Sequence, residues 1–321
     1  MITPIVILHT DNAEAAHKVL AGEHPDLEIH TCDSYDALPG MISETGAEVV
    51  FSVRFDGTRS YPRAALVESD QVKWVSVGGS GTDHLASWDA DRVTVTNAAG
   101  VAADMMAQYA LWAILNFSLN MPVFRAAQAR QDWISGEVEP IDGKTVLILG
   151  LGKTGAAVAA RAKALDMRTI GVRARPQPTP CVDEVFGLDD LAQLWPRADF
   201  IVVCVPLLDT TRGLVGPDAI AAMKSDAVIV DVSRGGVIDE AALLSALQTH
   251  RIKGAALDVF ATEPLPKGHK YWTLENAVLT PHCSAVYDGW DLKSVQMFAE
   301  NLTRYRRGEA LLNVVDPNRG Y

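Results

Sequence analysis

Three residues with complementary chemistry follow three apolar segments in the second half of this 321-residue chain. They are Arg234 in DVSRGG, Glu263 in DVFATEP and His282 in TPHCSA. An arginine binds a carboxylate through paired hydrogen bonds and can polarise the neighbouring ketone. An imidazolium can donate a proton to a forming alkoxide, and a carboxylate bonded to the ring holds its orientation. Together the three side chains are a complete set for the reduction of a 2-keto acid.

Each of these residues also has an ordinary structural explanation when it is taken alone. A single histidine is more often structural than catalytic, and an arginine near a glutamate is often only an ion pair. The segments AVIVDV, GAALDV and AVLTP, which precede them, are predicted strands of one parallel sheet. The carboxyl ends of parallel strands meet at one edge, where open α/β sheets bind ligands. This shared position favours the catalytic interpretation.

A glycine-rich turn precedes these strands. In TVLILGLGKTGAAV, a buried strand is predicted to end at Gly150, and the segment GKTGAAVAARAKAL continues as an alanine-rich helix. Gly150 permits the tight turn, Gly152 lets a pyrophosphate approach the backbone, and Gly155 lets the helix pack closely on the strand. The N–H groups of Lys153 and Thr154 lie at the positive end of the helix dipole. The pattern alone is weak, but between a strand and a helix it predicts a dinucleotide site.

Two arginines stand where a dinucleotide site commonly has an acid. Arg173, eighteen residues after Gly155, follows the second strand of this series (TIGV), and Arg175 follows it closely. A carboxylate there would bind the ribose 2′-hydroxyl of NAD, whereas a guanidinium can bind a 2′-phosphate. Both arginines could instead be solvated loop residues. Their position favours NADP (NADPH) as coenzyme, with NAD possible.

Two series of predicted strands and helices organise the chain. Parallel βαβ units are indicated because each short apolar run is separated from the next by a helical segment. The first series covers residues 1 to about 96. A long helix at roughly 101–120 then leads into the second, and a final helix is predicted from about 288. The predicted strands are PIVILHT, LEIHTC, EVVFSVRF, VKWVSVGG and VTVTN in the first series, and TVLILG, TIGV, FIVVCVP, AVIVDV, GAALDV and AVLTP in the second.

Composition excludes several classes of protein. The formal net charge of −12 disfavours binding to nucleic acid or to an anionic membrane. Four scattered cysteines indicate neither a disulfide framework nor a zinc site, and no metal is expected. The apolar segment 105–119 is too short to span a bilayer, and the N-terminal residues read as a strand rather than a signal peptide. A cytoplasmic location is expected.

With these motifs in place, the sequence resembles the D-isomer-specific 2-hydroxyacid dehydrogenases over nearly its whole length. The matching segments are VGGSGTDHL, NAAGVAADMMAQYAL, GLGKTG, DVSRGGVIDEAAL, LDVFATEPLP and TPHCSA. The resemblance implies an α/β fold in which a Rossmann coenzyme domain is inserted into a flavodoxin-like substrate domain. The implied boundaries are 97–287 for the NAD(P)-binding domain and 1–96 plus 288–321 for the substrate domain. It also implies a homodimer built on the interdomain helix.

The resemblance implies specific roles as well. Arg234, Glu263 and His282 match the family's catalytic arginine, glutamate and histidine, and Glu263 argues against formate dehydrogenase activity, where a glutamine stands instead. The turn Gly79–Ser80–Gly81 matches the main-chain cradle of the substrate carboxylate. The residues assigned to the coenzyme are Gly150, Gly152, Lys153, Thr154, Gly155, Arg173, Arg175, Pro206, Thr211, Ser233 and Asp258.

Three residues keep two interpretations. Arg54, after the strand EVVFSV, is either a second cation for the substrate or a partner in an interdomain ion pair. Tyr287 and Trp290 either shape the substrate's side-chain pocket or pack in the core.

The sequence thus predicts an NADPH-preferring reductase of small 2-keto acids, of the glyoxylate and hydroxypyruvate type, that yields D-2-hydroxy acids. The alternative is a dinucleotide-sensing regulator or corepressor on the same fold, without turnover. The Arg–Glu–His set argues against that alternative, and an assay for turnover separates the two.

Overall fold

The computed structural model describes residues 2–54 and 61–317 of the chain. The chain divides into two compact units. Unit 1 consists of the described residues of Met1–Val101 and Tyr287–Tyr321, and unit 2 of Ala102–Val286. The chain therefore leaves unit 1 once and returns to it once.

The strands of the described residues have the following bounds. In unit 1 they are β1 (Val6–His9), β2 (Ile29–Cys32), β3 (Val49–Ser52), β4 (Trp74–Val77) and β5 (Thr94–Asn97). In unit 2 they are β6 (Thr145–Leu149), β7 (Arg168–Val172), β8 (Glu184–Phe186), β9 (Phe200–Val203), β10 (Val228–Asp231), β11 (Gly254–Leu257) and β12 (Ala277–Leu279).

The α-helices follow in chain order. They are α1 (Ala13–Glu23), α2 (Leu38–Thr45), α3 (Arg63–Val67), α4 (Ala103–Ser118), α5 (Met121–Ala129), α6 (Lys153–Ala164), α7 (Leu191–Leu194), α8 (Pro217–Ala222), α9 (Glu240–Gln248) and α10 (Trp290–Arg307). Short 3₁₀ turns lie at Asp83–Leu85, Leu188–Asp190, Trp195–Arg197 and Lys270–Thr273.

Unit 1 is built on a parallel sheet in the order β2-β1-β3-β4-β5. This is the flavodoxin-like order. Alternate strand residues face opposite sides, so Ile7 packs with the residues of α2 and α3, and Leu8 packs with those of α1 and α10. Both faces are covered, which explains why every residue of β1, β3 and β4 is buried.

Unit 2 is built on a seven-stranded parallel sheet in the order β12-β11-β10-β9-β6-β7-β8. Counted from β6 this is the 3-2-1-4-5-6 order of the Rossmann fold with one further strand at the end. Val146 and Ile148 pack with α4 and α6 on one face, while Leu147 and Leu149 pack with α7, α8 and α9 on the other. The predicted fold class is confirmed in both units.

The structure corrects two details of the predicted elements. The helix predicted at 101–120 is α4, and a second helix, α5, follows after Asn120, whose φ of +53° interrupts the helical path. The short strand β8 was not predicted, because its three residues EVF, of which Glu184 is exposed and the other two are half-buried, carry no clear hydrophobic pattern.

A hydrogen bond joins the two segments of unit 1 at the residues where the first ends and the second begins. The hydroxyl of Tyr287 donates it to the carbonyl of Val101 at 3.0 Å. Across residues 2–54 and 61–317, no helix has the length and apolar character needed to cross a bilayer.

Candidate active site

The glycine-rich turn between β6 and α6 has tight steric requirements at two of its three glycines. Gly150 has a φ of +98°, in the region that favours glycine. A Cβ on Gly155 would lie 1.9 Å from the carbonyl oxygen of Gly150, so no side chain fits there. A Cβ on Gly152 would meet no protein atom within 4 Å. Protein packing therefore does not require glycine at 152, whereas close approach of a ligand would.

The helix that begins after this turn supplies free main-chain donors. Lys153 and Thr154 are the first residues of α6, so their N–H groups have no partner within the helix. The Lys153 side chain is exposed, and the hydroxyl of Thr154 donates to the sulfur of Met106 at 3.6 Å. Arg161 holds the helix to α4 through an ion pair with Asp104 at 2.9 Å. The turn and the helix start together fit a pyrophosphate.

The guanidinium groups of the two arginines after β7 have no protein partner among the described residues. Arg173 is half-buried and is held through its main chain, whose N–H donates to the carbonyl of Phe186 at 3.1 Å. Arg175 is exposed. Within the described part of the chain, neither side chain forms a hydrogen bond or an ion pair. Both cations are available to an anionic ligand at the carboxyl end of β7.

The turn after β10 carries Arg234 and begins with a buried carboxyl group. Asp231 accepts two hydrogen bonds on Oδ1, from the N–H of Ser233 at 2.9 Å and from its hydroxyl at 2.5 Å. Arg234 in turn donates from one guanidinium nitrogen to the carbonyl of Ser233 at 2.7 Å. A Cβ on Gly235 would lie 1.9 Å from the carbonyl oxygen of Phe260, so the turn packs directly on the segment after β11.

The loop that carries His282 is held by Asp258. This fully buried carboxylate accepts the hydroxyl of Thr280 at 2.6 Å and the N–H groups of Cys283 and Ser284, each at 2.9 Å. His282 lies between these anchors with a φ of +53°, in the left-handed region. Flanking hydrogen bonds thus fix an uncommon backbone conformation and define the direction of the imidazole.

His282 and Glu263 form the central pair of the site. Nδ1 of His282 lies 2.8 Å from Oε2 of Glu263, and Oε1 of the same carboxylate accepts the N–H of Phe260 at 2.9 Å. Burial raises the pKa of Glu263, but these two hydrogen bonds and the charges of His282 and Arg234 outweigh it, so the net pKa is lowered. A carboxylate can only accept, so Nδ1 carries the hydrogen and Nε2 is left to face a substrate.

The structure also identifies a residue that the sequence did not single out. The hydroxyl of Tyr109, on α4, lies 2.8 Å from that of Thr280. Thr280 gives its one hydroxyl proton to Asp258, so Tyr109 must be the donor in this pair. Burial raises the pKa of Tyr109, which keeps the phenol in its donating form. No sequence motif marks this contact, because 171 positions separate the two residues.

The loop after β9 holds its own predicted coenzyme residues. Thr211 is buried; its hydroxyl accepts the N–H of Leu208 at 2.8 Å and donates to the carbonyl of Pro206 at 2.6 Å. The Thr211 side chain therefore shapes the loop. Likewise, the hydroxyl of Ser233 and both oxygens of Asp258 are engaged by protein groups.

In unit 1, the turn after β4 presents consecutive main-chain donors. The carbonyls of Gly79 and Ser80 accept hydrogen bonds from the Ala98 N–H at 2.9 Å and the Asn97 side chain at 2.7 Å. The N–H groups of Gly79, Ser80 and Gly81 have no partner among the described residues. Such a row of free N–H groups is suited to an anion.

Three further residues of unit 1 were candidates for the substrate site. Arg54 is exposed, two residues beyond the end of β3. Tyr287 is half-buried, with its hydroxyl bonded to Val101 and the ammonium group of Lys293 5.0 Å from its ring centre. Trp290 is the half-buried first residue of α10.

Unit 2 thus gathers an arginine, a glutamate and a histidine beyond the ends of β10, β11 and β12. The charge of Arg234 is close enough to contribute to the lowered pKa of Glu263. Among the described residues, no group of three or more His, Cys, Asp or Glu side chains could hold a metal ion. The arrangement can bind an anion, orient an imidazole and deliver a proton.

The chain is similar in sequence to a known protein family and to several characterised proteins. Residues 111–284 match the family described as D-isomer specific 2-hydroxyacid dehydrogenase, NAD binding domain. A D-3-phosphoglycerate dehydrogenase of Methanocaldococcus jannaschii is 35% identical over 323 residues, which cover 98% of this chain and 60% of the relative. A glyoxylate reductase of Korarchaeum cryptofilum is 33% identical over 248 residues, which cover 74% of each chain.

A solved structure is similar over its full length. It is the crystal structure of a D-isomer specific 2-hydroxyacid dehydrogenase from Xanthobacter autotrophicus Py2, in complex with NADPH and MES. The two chains share 28% identity and a TM-score of 0.86, with 100% of each chain covered. By contrast, the chain spans only about 60% of the length of the phosphoglycerate dehydrogenase that it matches.

Proposed function

This chain belongs to the D-isomer-specific 2-hydroxyacid dehydrogenase family, and we propose that it reduces small 2-keto acids to D-2-hydroxy acids with NADPH as the preferred coenzyme. The observation that carries the proposal is the 2.8 Å contact between His282 Nδ1 and Glu263 Oε2, with Arg234 close enough to influence the same carboxylate. Unit 2 is the proposed coenzyme domain, and unit 1 the proposed substrate domain.

Each catalytic residue has a role that follows from its contacts. Arg234 binds the substrate carboxylate and polarises the ketone. His282 donates the proton on Nε2 to the oxygen as it becomes an alkoxide, while Glu263 keeps Nδ1 engaged and the ring oriented. The nicotinamide, when bound, supplies the hydride to the keto carbon. The remaining residues hold their loops: Asp258 fixes the segment around His282, and Tyr109 supports it through Thr280.

The NADPH preference rests on Arg173 and Arg175. Their guanidinium groups are free of protein partners within the described chain and follow β7, where a 2′-hydroxyl or 2′-phosphate is bound in this fold. An arginine forms paired, charge-assisted hydrogen bonds with a phosphate. The relative from Xanthobacter autotrophicus, at 28% identity, holds NADPH in its crystal structure, which supports this choice.

The proposed substrates are small 2-keto acids of the glyoxylate and hydroxypyruvate type. The free N–H groups of Gly79, Ser80 and Gly81 suit a carboxylate, and we assign Arg54 as a second cation for the substrate. The glyoxylate reductase of Korarchaeum cryptofilum, at 33% identity, supports a substrate of this size.

A homodimer is proposed as the working form. Apolar side chains around α4 and α5 are exposed, including Trp112 at 40%, Val123 at 48% and Trp133 at 101%. Several large apolar side chains exposed on neighbouring segments favour a protein contact at these segments. Light scattering should give twice the mass of one chain, and a monomer at micromolar concentration would contradict the proposal.

A second candidate is the oxidation of D-3-phosphoglycerate. It is favoured by the 35% identity to the Methanocaldococcus jannaschii enzyme of that name, a match that covers 98% of this chain. Proposed here for either reaction, the chemistry of Arg234, Glu263 and His282 acts on a 2-hydroxy or 2-keto acid group with or without a phosphate elsewhere in the molecule. The site of unit 2 therefore does not separate the two candidates.

Steady-state kinetics distinguish the candidates. Glyoxylate, hydroxypyruvate, pyruvate and 3-phosphohydroxypyruvate should each be assayed with NADPH and with NADH. The proposal expects the highest kcat/KM for an unphosphorylated keto acid with NADPH. A clear preference for 3-phosphohydroxypyruvate would favour the second candidate. Tight NADPH binding without turnover of any keto acid would favour a regulator.

A further inference from the structure

Asp231 is a buried residue that is connected to the proposed substrate-binding residue Arg234 through Ser233. It is the last residue of β10 and is 3% exposed. Its Oδ1 accepts both the N–H and the hydroxyl of Ser233, whose carbonyl accepts a hydrogen bond from the guanidinium of Arg234 at 2.7 Å. The carboxyl group therefore fixes the residue on which the Arg234 side chain rests.

A second buried carboxyl group lies at the next strand end. The N–H of Asp258 donates to the carbonyl of Asp231 at 3.0 Å, which places the two residues side by side. Asp258 accepts three hydrogen bonds, from Thr280, Cys283 and Ser284. Asp231 accepts two, from the N–H and the hydroxyl of Ser233. Two adjacent buried carboxylates would repel each other, and Asp231 has fewer hydrogen-bond donors to stabilise a negative charge.

Among the described residues, Arg234 is the one cation whose charge offsets the repulsion between Asp231 and Asp258. The titratable or charged groups that face Asp231 are Cys204 after β9, Tyr109 on α4, Asp258 after β11, Tyr271 in the turn Lys270–Thr273 and Arg234 on its own turn. Glu240 lines the same cavity of about 20 Å³. Burial raises the pKa of Cys204 to about 12 and raises those of both tyrosines, so these groups are neutral.

Burial, together with the neighbouring charge of Asp258, raises the pKa of Asp231 to about 7. The hydrogen bonds from Ser233 and the charge of Arg234 oppose this rise without overcoming it. Asp231 is therefore a neutral acid in weakly acidic solution and a carboxylate in weakly alkaline solution.

We propose that Asp231 is a positioning residue that holds the Arg234 turn as an uncharged carboxylic acid, and that its ionisation weakens the binding of the anionic substrate. An ionised Asp231 places a negative charge beside Arg234, where it competes for the guanidinium and repels an incoming carboxylate. This inference rests on the proposed function, because it requires Arg234 to bind an anionic substrate.

The variant Asp231→Asn separates positioning from charge. Its amide oxygen can accept both hydrogen bonds from Ser233, so it reproduces the neutral acid at every pH. KM for the 2-keto acid that turns over fastest should be measured for both proteins between pH 5.5 and 8.5 with saturating NADPH. We expect the ratio of wild-type KM to variant KM to rise roughly ten-fold through pH 7, the effect of one nearby charge. All other titrating groups are common to both proteins.

Infrared spectroscopy reads the proton directly and does not depend on turnover. The difference spectrum of the wild type between pH 6 and pH 8 should contain the band of a protonated carboxyl group, and Asp231→Asn should lack it. The matched variant Ser233→Ala removes a hydrogen bond that stabilises the charged form. In this variant the pKa of Asp231 should be higher, so the band should persist to a higher pH than in the wild type.

The outcomes are distinguishable. A KM ratio that is constant across the pH range, with the band absent at pH 6, would show that Asp231 is an ordinary structural carboxylate and would overturn the inference. A constant KM ratio with the band present at pH 6 would show that Asp231 holds a proton but that its ionisation does not weaken substrate binding, which would overturn the inference. If no keto acid is turned over, the proposed function fails, and the infrared band still decides whether Asp231 holds a proton.

Discussion

Nδ1 of His282 lies 2.8 Å from Oε2 of Glu263, and the other oxygen of that carboxylate is held by the N–H of Phe260 at 2.9 Å. The glutamate is thus fixed at one end by the main chain and presents its second oxygen to the imidazole. Since Nδ1 is engaged, the ring can exchange a proton with a substrate only through Nε2.

Replacement of His282 by alanine should lower kcat by ~10²–10⁴-fold, the usual contribution of a positioned acid–base group. Coenzyme binding should remain nearly intact, because the dinucleotide turn at Gly150–Gly155 does not involve this residue. Single-turnover kinetics and NADPH fluorescence titration measure the two effects. Unchanged turnover would remove His282 from the mechanism.

Replacement of Glu263 by glutamine should lower kcat/KM by at least about ten-fold, because the ring loses a charged orienting partner. The pKa of Glu263 is lowered in the folded protein, so the wild type should lose activity through this group only as pH falls below the usual carboxyl range. The glutamine variant should lack that acid limb in its pH profile, and Glu263→Asp should recover part of the rate. An identical acid limb in the wild type and the glutamine variant would assign it to another group.

Replacement of Arg173 by alanine should weaken NADPH binding by about ten- to a hundred-fold, as expected for hydrogen bonds to a charged phosphate. NADH affinity should hardly change. Arg168→Ala is a matched control, since this exposed arginine lies at the opposite end of the same strand. Equal losses for both coenzymes would mean that Arg173 only supports the fold.

Two glycine substitutions should have opposite consequences. Gly152→Ala should leave stability unchanged, because its Cβ meets no protein atom within 4 Å, yet should weaken coenzyme binding by crowding the pyrophosphate. Gly155→Ala should destabilise unit 2 by several kcal/mol, because its Cβ would lie 1.9 Å from the Gly150 oxygen. Thermal unfolding with and without NADPH tests both. A stable Gly152→Ala protein that binds NADPH normally would place the coenzyme elsewhere.

Because its pKa is raised in the folded protein, Asp231 should make the free energy of unfolding decrease as pH rises. The unfolded chain releases this proton near pH 4, whereas the folded chain keeps it up to about pH 7. Between these values the folded state binds more protons, so wild-type stability relative to Asp231→Asn should decrease by about 1.4 kcal/mol per pH unit. Denaturant unfolding at pH 5, 6 and 7 measures the difference. A constant difference would mean that Asp231 is ionised throughout.

The features that the sequence predicted are those encoded by short segments. The run TVLILGLGKTG contains a buried strand, its turn and the start of a helix, so its conformation follows from neighbouring residues. The positions of Arg173, Arg234 and His282 after strands follow in the same way. Parallel sheets then bring those strand ends to one edge.

The features that the sequence did not predict arise from contacts between distant segments. The bond between Tyr109 and Thr280 spans 171 positions, and Asp258 reaches Ser284 across 26. The proton on Asp231 depends on burial and on a neighbouring charge, which only the folded sheet creates. Asp231 lies in the predicted strand AVIVDV, and nothing in that short segment indicates a role for it.

The hydrogen bond from Tyr287 to Val101 has a consequence for protein engineering. It joins, within unit 1, the residue at which the chain departs and the residue at which it returns. Unit 2 is therefore an insertion whose two attachment points are adjacent, the arrangement that makes domain transplantation geometrically feasible. A short loop could bridge the same two points to yield unit 1 as a separate module. A different coenzyme unit could likewise be grafted there without altering the sheet order of the host.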